Sequence, residues 1–599
     1  MVPRSFFRRA SSPATLTVVL PGPSCVISDL LPSLVFDHRR TERSAASRPT
    51  LTSSALRGWS IGQACCGSTL RILSLRSESA RLCNSAVAWA GSQWVVANVP
   101  ILRKSWAGAR PGTVSVPPRG VQSVVPEGPA NIIVILSDDH GYADRSALGI
   151  HPDVQTPGLD RLAAEGMTCT DAYVTAPICS PSRAGIISGR YQQRWGGLWF
   201  DSASFPPDDP DRAPTIAEAL QQQGYRTGYF GKVHYGSEDV GDRACPPHHG
   251  FDQTLYGLAG QSLGRLNYLH HSRSAQQDYG EAAVPMAVQP LLQGDDAYEY
   301  EGFLTEELGR RARDFITEAG DDPYFCMLAF NAVHNFCWQL PADELERRGL
   351  PAYRDWDPDS GTGYGEWYDD AIVPNLPHGR EYYLAQLELM DREIGRLLDH
   401  LDRTGQAENT MIIYLTDNGG STCNFGDNTP LRGTKYTVWE GGIRVPFLVR
   451  WPGRVAAGST HSGLVSSMDI YPTALAAAGA DPSTWQHCDG NPLLPTDLSA
   501  AEGAIAQPDA DNSGHEALHW ECGFQWAVRS GDWKLSWVDA DSTNVQHLAS
   551  YEHAPMGAGL RLTDLASDPS EQNDLAAERP ERVDQLRTLH EEWRTEVGL

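Results

Sequence analysis

Asn131-Ile-Ile-Val-Ile-Leu136 carries five apolar residues in succession, four of them β-branched. No polar residue interrupts the apolar run to face water. It therefore predicts a strand buried on both faces, as in a parallel sheet with helices above and below. The run leads directly into Ser137-Asp138-Asp139-His140-Gly141. The same construction returns at Met411-Ile-Ile-Tyr-Leu415, which ends in Thr416-Asp417-Asn418-Gly419-Gly420. Pro446-Phe-Leu-Val-Arg450 reads as a third strand. Helical patterns lie between these strands. Thr156 to Gly166 is a short one, and Pro214 to Gly224 has Pro near its start and Gly at its end. Glu381 to Gly405 is the clearest, with Leu384, Leu387, Met390, Ile394, Leu398 and Leu401 three or four residues apart. Strands alternating with helices predict an α/β fold, a large, mostly parallel mixed sheet with helices on both faces.

After about residue 480 the apolar runs shorten, as at Ala527 to Arg529 and Trp533 to Trp537. An amphipathic helix follows from about Arg579 to Val597. This predicts a main domain over 128–480 and a smaller C-terminal α+β subdomain over 481–599, with a short antiparallel sheet. Residues 1–127 differ in kind. They hold 15 Lys and Arg against 5 Asp and Glu, with much Ser, Ala and Pro and no sustained period. They read as a low-order basic extension, a targeting region or a mis-assigned start. The apolar stretch Ala14 to Phe36 is broken by Pro, Ser and Asp and is no clean signal peptide. A second stretch, Ala86 to Leu102, lies far from the terminus. A periplasmic or secreted location is the expectation.

The whole chain of 599 residues is 41% hydrophobic and 21% charged, enough for a large core. Its net charge of -27 argues against a nucleic-acid partner, which would need basic phosphate contacts. No apolar run is long enough for a membrane span. Of the 12 cysteines, Cys25, Cys65, Cys66 and Cys83 lie in the extension; the other eight are scattered without zinc spacing. Most read as small buried residues or disulfide partners.

Ligand sites of open α/β sheets lie beyond the carboxyl ends of the strands. Here two such ends carry acidic and amide oxygens: Asp138, Asp139, Asp417 and Asn418. Adjacent carboxylates repel unless a cation compensates, and four oxygen donors suit a hard ion such as Ca²⁺ or Mg²⁺. Either cluster alone could be an ordinary polar turn; the pair favours a metal. The most specific segment is Cys179-Ser180-Pro181-Ser182-Arg183-Ala-Gly-Ile-Ile-Ser188-Gly189-Arg190. Taken alone, it could be a buried Cys before a helix with Pro181 and Ser182 in its first turn.

The segment resembles the motif of the type I, formylglycine-dependent sulfatases, arylsulfatase-like members of the alkaline phosphatase superfamily. The resemblance runs from about Asn131 to the C-terminal region. It includes Gly231-Lys232-Val233-His234, His249-Gly250-Phe251-Asp252, Asn331-Ala332-Val333-His334, Gly433-Thr434-Lys435 and Leu562-Thr563-Asp564-Leu565. It implies a sulfuric ester hydrolase in which a maturation enzyme oxidises Cys179 to formylglycine. The hydrated aldehyde attacks sulfur with one hydroxyl, and the other lets the sulfated intermediate collapse. It further implies one Ca²⁺ held by Asp138, Asp139, Asp417 and Asn418, with the modified Cys179 completing the site. Arg183 positions the nucleophile, and Lys232 and Lys435 contact sulfate oxygens. His234 takes a proton, and His334 is the general acid for the leaving oxygen. Taken singly, each of these Lys, His and Arg residues is more often a solvated or core residue than a catalyst. Ser137, His140 and His248 are left outside the site.

The chain departs from the family pattern at Val233, Tyr235 and Asn335-Phe336, which bears on the shape of the substrate pocket and not on the reaction. Between Phe336 and Tyr368 the chain is rich in rings: Phe336, Trp338, Tyr353, Trp356, Tyr364, Trp367 and Tyr368. They read as a wall for stacking on sugars, although any single ring more often packs its own loop. The expected substrate is a sulfated carbohydrate. Two alternatives remain: a phosphate or phosphonate monoester hydrolase of the same superfamily, and a non-catalytic glycan-binding relative. Asn418 following Asp417, with no His between Asp417 and Lys435, favours one hard cation and a sulfate ester.

Overall fold

The structure of the protein is a computed structural model. It describes residues 128–199, 205, 213–236, 239–260, 264–372, 375–494 and 514–599, with four short strands between residues 58 and 98. Residues 1–120 and 121–599 form separate units. In the first, Gly58–Ser60, Arg71–Leu73, Ser85–Ala90 and Gln93–Asn98 pair in order as an antiparallel sheet. This places a strand pair on the stretch from Ala86, where the residues showed no sustained period. The stretch Ala14 to Phe36 and the four cysteines of this unit lie outside the described residues.

The second unit is built on Asn131–Ser137 (β1), Pro157–Glu165 (α1), Met167–Cys169 (β2), Cys179–Ser188 (α2) and Ile216–Gln222 (α3). Arg226–Lys232 (β3), Gln253–Gly257 (β4), Leu304–Ala319 (α4), Tyr324–Ala329 (β5) and Gly379–Thr404 (α5) follow. Thr410–Thr416 (β6) and Phe447–Arg450 (β7) complete the centre. The sheet runs β4-β3-β5-β1-β6-β7-β2, with Leu291–Gln293 and Asp296–Tyr298 beyond β4 and Ser459–His461 beyond β2. From β4 to β6 neighbouring strands are parallel; β7 is antiparallel to β6, and β2 to β7.

β1 is buried along its length and divides the core between its faces. Ile133 and Ile135 join α1, α4 and α5 on one side, while Ile132 and Val134 join α2, α3 and Ile470–Ala477 on the other. Alternate side chains of a strand point to opposite faces, so an unbroken apolar run needs a cover on both. Each of these side chains contributes about 1.5–3 kcal/mol by leaving water. The strand β3 was not evident in the sequence, since Arg-Thr-Gly-Tyr-Phe-Gly-Lys holds two glycines and a charge at each end.

Leu518–Glu521 (β8), Gln525–Ser530 (β9), Trp533–Val538 (β10) and Gly559–Asp564 (β11) pair in sequence as an antiparallel sheet. Val583 and Leu586 of Pro580–Val597 (α6) pack on Val528, Leu535 and Leu562 of its face. A buried ionic cluster ties this sheet to the chain that follows β6. Lys534 Nζ donates to Glu440 Oε1 at 2.9 Å and pairs with Glu571 Oε1 at 3.1 Å. The eight described cysteines form no disulfide, so the disulfide reading fails for them. Among the described residues no helix is long and apolar enough to cross a membrane.

Candidate active site

The carboxyl ends of β1, β5 and β6 meet, and the backbone joins them. Asp138 N donates to Ala332 O at 2.9 Å and Asp417 N to Ser137 O at 3.2 Å, while Val333 N returns a bond to Asp138 O at 2.7 Å. Three segments far apart in sequence therefore deliver Asp138-Asp139, Asp417-Asn418 and His334 to one place. Asp139 turns the chain with φ of 58°, a left-handed conformation that Asp tolerates better than most residues. Its backbone N–H reaches Asp417 Oδ1 at 3.3 Å. Asn418 Nδ2 donates to Asp139 Oδ1, and Asn424 Nδ2 to Asp139 Oδ2, both at 2.6 Å.

Cys179 is the first residue of α2, a helix buried over its whole length and closed by Gly189. Its Sγ lies with oxygens of Asp138 and Asp139 and a ring nitrogen of His334, all within 4.8 Å of one another. The helix N-terminus adds positive potential where an anion would sit. Arg183, one turn along, donates from Nε to Asp417 Oδ2 at 2.7 Å and from Nη1 to Lys232 O at 3.0 Å. Lys232 Nζ lies 2.5 Å from Asp138 Oδ2. Lys435 Nζ lies 2.8 Å from Asp139 Oδ1 and 3.1 Å from His334 Nε2. All the expected catalytic and metal residues thus converge except His234, for which only electrostatic proximity shows. Lys232, Arg183 and Lys435 all bear on its ring, and Gly264 packs so close to it that a Cβ there would come within 2.6 Å.

The charges of the site are strained by burial. Burial and the neighbouring Asp417 push the Asp138 carboxyl up to about 7. Burial pushes Asp417 the same way, but Arg183, Lys232 and Lys435 outweigh it and hold the group below the usual carboxylate range. Burial raises the Cys179 thiol to about 12, against the pull of Lys232 and Lys435. Burial, then Lys435 and Lys232, keep His334 neutral. Two acceptors, Asp138 Oδ1 and Asn418 Oδ1, are buried with no hydrogen-bond donor among the described residues. Buried acceptors seldom stay unpaired. Two unpaired oxygens beside a carboxyl that burial destabilises fit a hard cation.

Asn424 is the residue that the sequence did not reveal. A single Asn in a polar loop has no period or spacing, and only its bond to Asp139 marks it. His140 is a structural histidine, with Nδ1 2.6 Å from Tyr414 Oη and Nε2 2.7 Å from Asp144 O. The ring-rich segment differs from the expected sugar wall. Phe336, Trp338 and Tyr368 are buried in the core, and Tyr353, Trp356, Tyr364 and Trp367 pack on one another or on these rings. Asp355 is occupied by Trp338 Nε1 and Tyr279 Oη. Tyr436, next to Lys435, has the Tyr551 ring at 6.3 Å, and the buried Tyr368 lies beneath the Arg265 guanidinium at 4.5 Å.

Residues 130–480 match the family model described as Sulfatase. The chain belongs to the sulfatase family. It is 28% identical to the steryl-sulfatase of Rattus norvegicus, over 78% of this chain and 89% of that protein. It is 31% identical to the arylsulfatase A of Homo sapiens, over 77% and 87%. The solved structure of Ps i-CgsB in complex with k-i-k-neocarrahexaose superposes with a TM-score of 0.60 at 26% identity, covering 78% of this sulfatase and 92% of that chain. This sulfatase is accordingly a hydrolase of sulfuric esters, with the fold that its strands and helices predicted.

Proposed function

We propose that this sulfatase removes sulfate from a sulfated carbohydrate, using formylglycine formed from Cys179 by a maturation enzyme and one Ca²⁺ bound by Asp138, Asp139, Asp417 and Asn418. The observation that carries the reading is the buried Cys179 Sγ, grouped with Asp138, Asp139 and His334 at the start of a helix. As it stands, a thiol raised to about 12 is protonated at neutral pH and a poor nucleophile. When bound or formed, the two groups supply a hydroxyl nucleophile for sulfur and positive charge against the sulfate oxygens.

The chain's own residues do the rest. Arg183 is fixed by Asp417 and by the carbonyl of Lys232, so it orients position 179 from one turn below. Lys232 and Lys435 supply ammonium groups for sulfate oxygens. They also offset the acidity of the chain locally, so a protein of net charge -27 can bind one anion. His234 is held neutral by burial and by Lys232, the state required to accept a proton. His334 shares Lys435 with Asp139; burial first and Lys435 next keep this imidazole neutral, and a sulfate against Lys435 offsets the second of these, which favours the protonated acid. Tyr436 and Tyr551 offer ring faces that end in polar groups, which suit a hydroxylated ring better than a sterol.

Peptide mass spectrometry on the native protein tests the nucleophile, with formylglycine expected at position 179. Cys179→Ala is expected to abolish sulfate release while far-UV circular dichroism is unchanged; near-normal release by that variant would refute the mechanism. Release of sulfate from sulfated oligosaccharides is expected to exceed release from a steryl sulfate and release of phosphate from phosphate esters.

A further inference from the structure

A cavity of about 590 Å³ opens on the C-terminal sheet, away from the carboxylate cluster. Trp526 of β9 and Trp537 of β10, paired across the two strands, form part of its wall. Arg587 and Arg594 of α6 and Glu521 at the end of β8 complete its polar part. Glu521 is buried. Its Oε1 accepts from Gly523 N at 2.8 Å, but its Oε2 has no hydrogen-bond donor among the described residues. Beside it lie the Arg594 guanidinium, Nη1 at 3.5 Å, and the imidazole of His590, which burial holds toward the neutral form, Nε2 at 3.7 Å. Trp526 lies with one face on His590, ring centres 4.7 Å apart, which fixes the plane of the indole.

We infer that this cavity is a second saccharide site, one that holds an anionic sugar unit. The ligand class follows from the wall. Indole faces take the apolar face of a pyranose. Two guanidinium groups at the mouth take a sulfate or carboxylate. A volume of this size holds one or two sugar units. A run of packed rings leads from beside the cavity toward Lys435. Phe524, beside Gly523 of the cavity, meets Trp199 at 4.9 Å, and Trp199 meets Tyr436, next to Lys435, at 6.0 Å. The inference rests on the proposed carbohydrate substrate for its biological meaning, but not for its test. A second hold on one chain raises affinity for oligosaccharides without touching the chemistry.

The test uses the full chain. Calorimetric titration of Cys179→Ala with a carrageenan hexasaccharide, its desulfated counterpart and inorganic sulfate should give binding by the sulfated sugar. That binding should weaken about tenfold in Arg587→Ala and further in Trp537→Ala. On a Cys179 background, Arg587→Ala should raise KM for the hexasaccharide with kcat unchanged and leave turnover of a small aryl sulfate unaltered. Equal binding by parent and both variants would overturn the second site, as would inorganic sulfate binding as tightly as the sugar. If the native chain binds the hexasaccharide without desulfating it, and Arg587→Ala loses that binding, the substrate reading fails and the second site stands.

Discussion

Asp417 accepts from the backbone of Asp139 with one oxygen and from Arg183 with the other. It is therefore tied at once to the turn that carries the carboxylates and to the helix that carries Cys179. In the proposed site it also binds the cation. Asp417→Ala should lose bound metal and activity together, with kcat/KM falling roughly a thousandfold or more; elemental analysis of the purified variant decides. A full equivalent of Ca²⁺ retained there would remove Asp417 from the ligand set. The sequence exposed this residue because the Asp-Asn-Gly cluster repeats, after a second buried strand, what Asp138-Asp139 do after the first. Asn424, which holds the other carboxylate, had no such echo.

Elements carry these residues only if their backbones can approach closely. Gly231 has φ of 135°, and a Cβ there would stand 1.7 Å from Ala329 O of the neighbouring strand. It immediately precedes Lys232, whose ammonium meets Asp138. Gly231→Ala should cost about 2–5 kcal/mol through strain and overpacking, and the shifted Lys232 should lower sulfate release further. An unfolding midpoint in urea equal to the parent's would show that the strands can part at no cost. The C-terminal sheet is joined to the chain beyond β6 by Lys534, whose ammonium lies between Glu440 and Glu571 with no access to water. Burial works to raise Glu440, but Lys534 leads the cations that hold it at about 2. Lys534→Met leaves that carboxylate buried without its main partner, so a loss of about 3–5 kcal/mol is expected in urea unfolding. A loss below 1 kcal/mol would show that Arg444 and Arg529 compensate it fully.

For the whole molecule, stability against pH sums buried groups of opposite sign. His249 is held at about 3, by burial first and then by Arg243. Its Nδ1 lies 3.1 Å from Arg243 O and its Nε2 3.0 Å from Tyr235 Oη. Above about 6.5 it is neutral in both folded and unfolded chains and contributes nothing to the slope. Below that value the unfolded chain takes the proton and the folded chain does not, so stability falls with pH until about 3. Asp391 and Glu571, raised to about 7 mainly by burial, act oppositely, their cost being relieved as pH falls. His249→Gln keeps a donor and an acceptor and removes the titration. Between pH 6 and 4 the parent should therefore lose about 1.4 kcal/mol per pH unit more than this variant; parallel losses would mean that His249 titrates normally.

The fold class was legible because burial on both faces leaves a local mark, an unbroken β-branched run, and because α5 repeats its apolar residues at helical spacing. β3 left no such mark, since Gly231 serves a close approach to a strand about a hundred residues away and Gly228 makes room for the rings of Phe230 and Phe315. The family, and with it the class of reaction, was legible as residue types at family spacing around Cys179. Other features depended on side chains that meet only when the sheet closes. The rings from 336 to 368 turned inward, because most of their surface finds partners in the core and in one another. The bond of Asn424 to Asp139, the two unpaired oxygens of Asp138 and Asn418 and the walled cavity between β8, β9, β10 and α6 join residues distant in sequence. Periodicity reports only what a residue's near neighbours require; the orientation of a polar atom is set by whichever segment the fold packs against it.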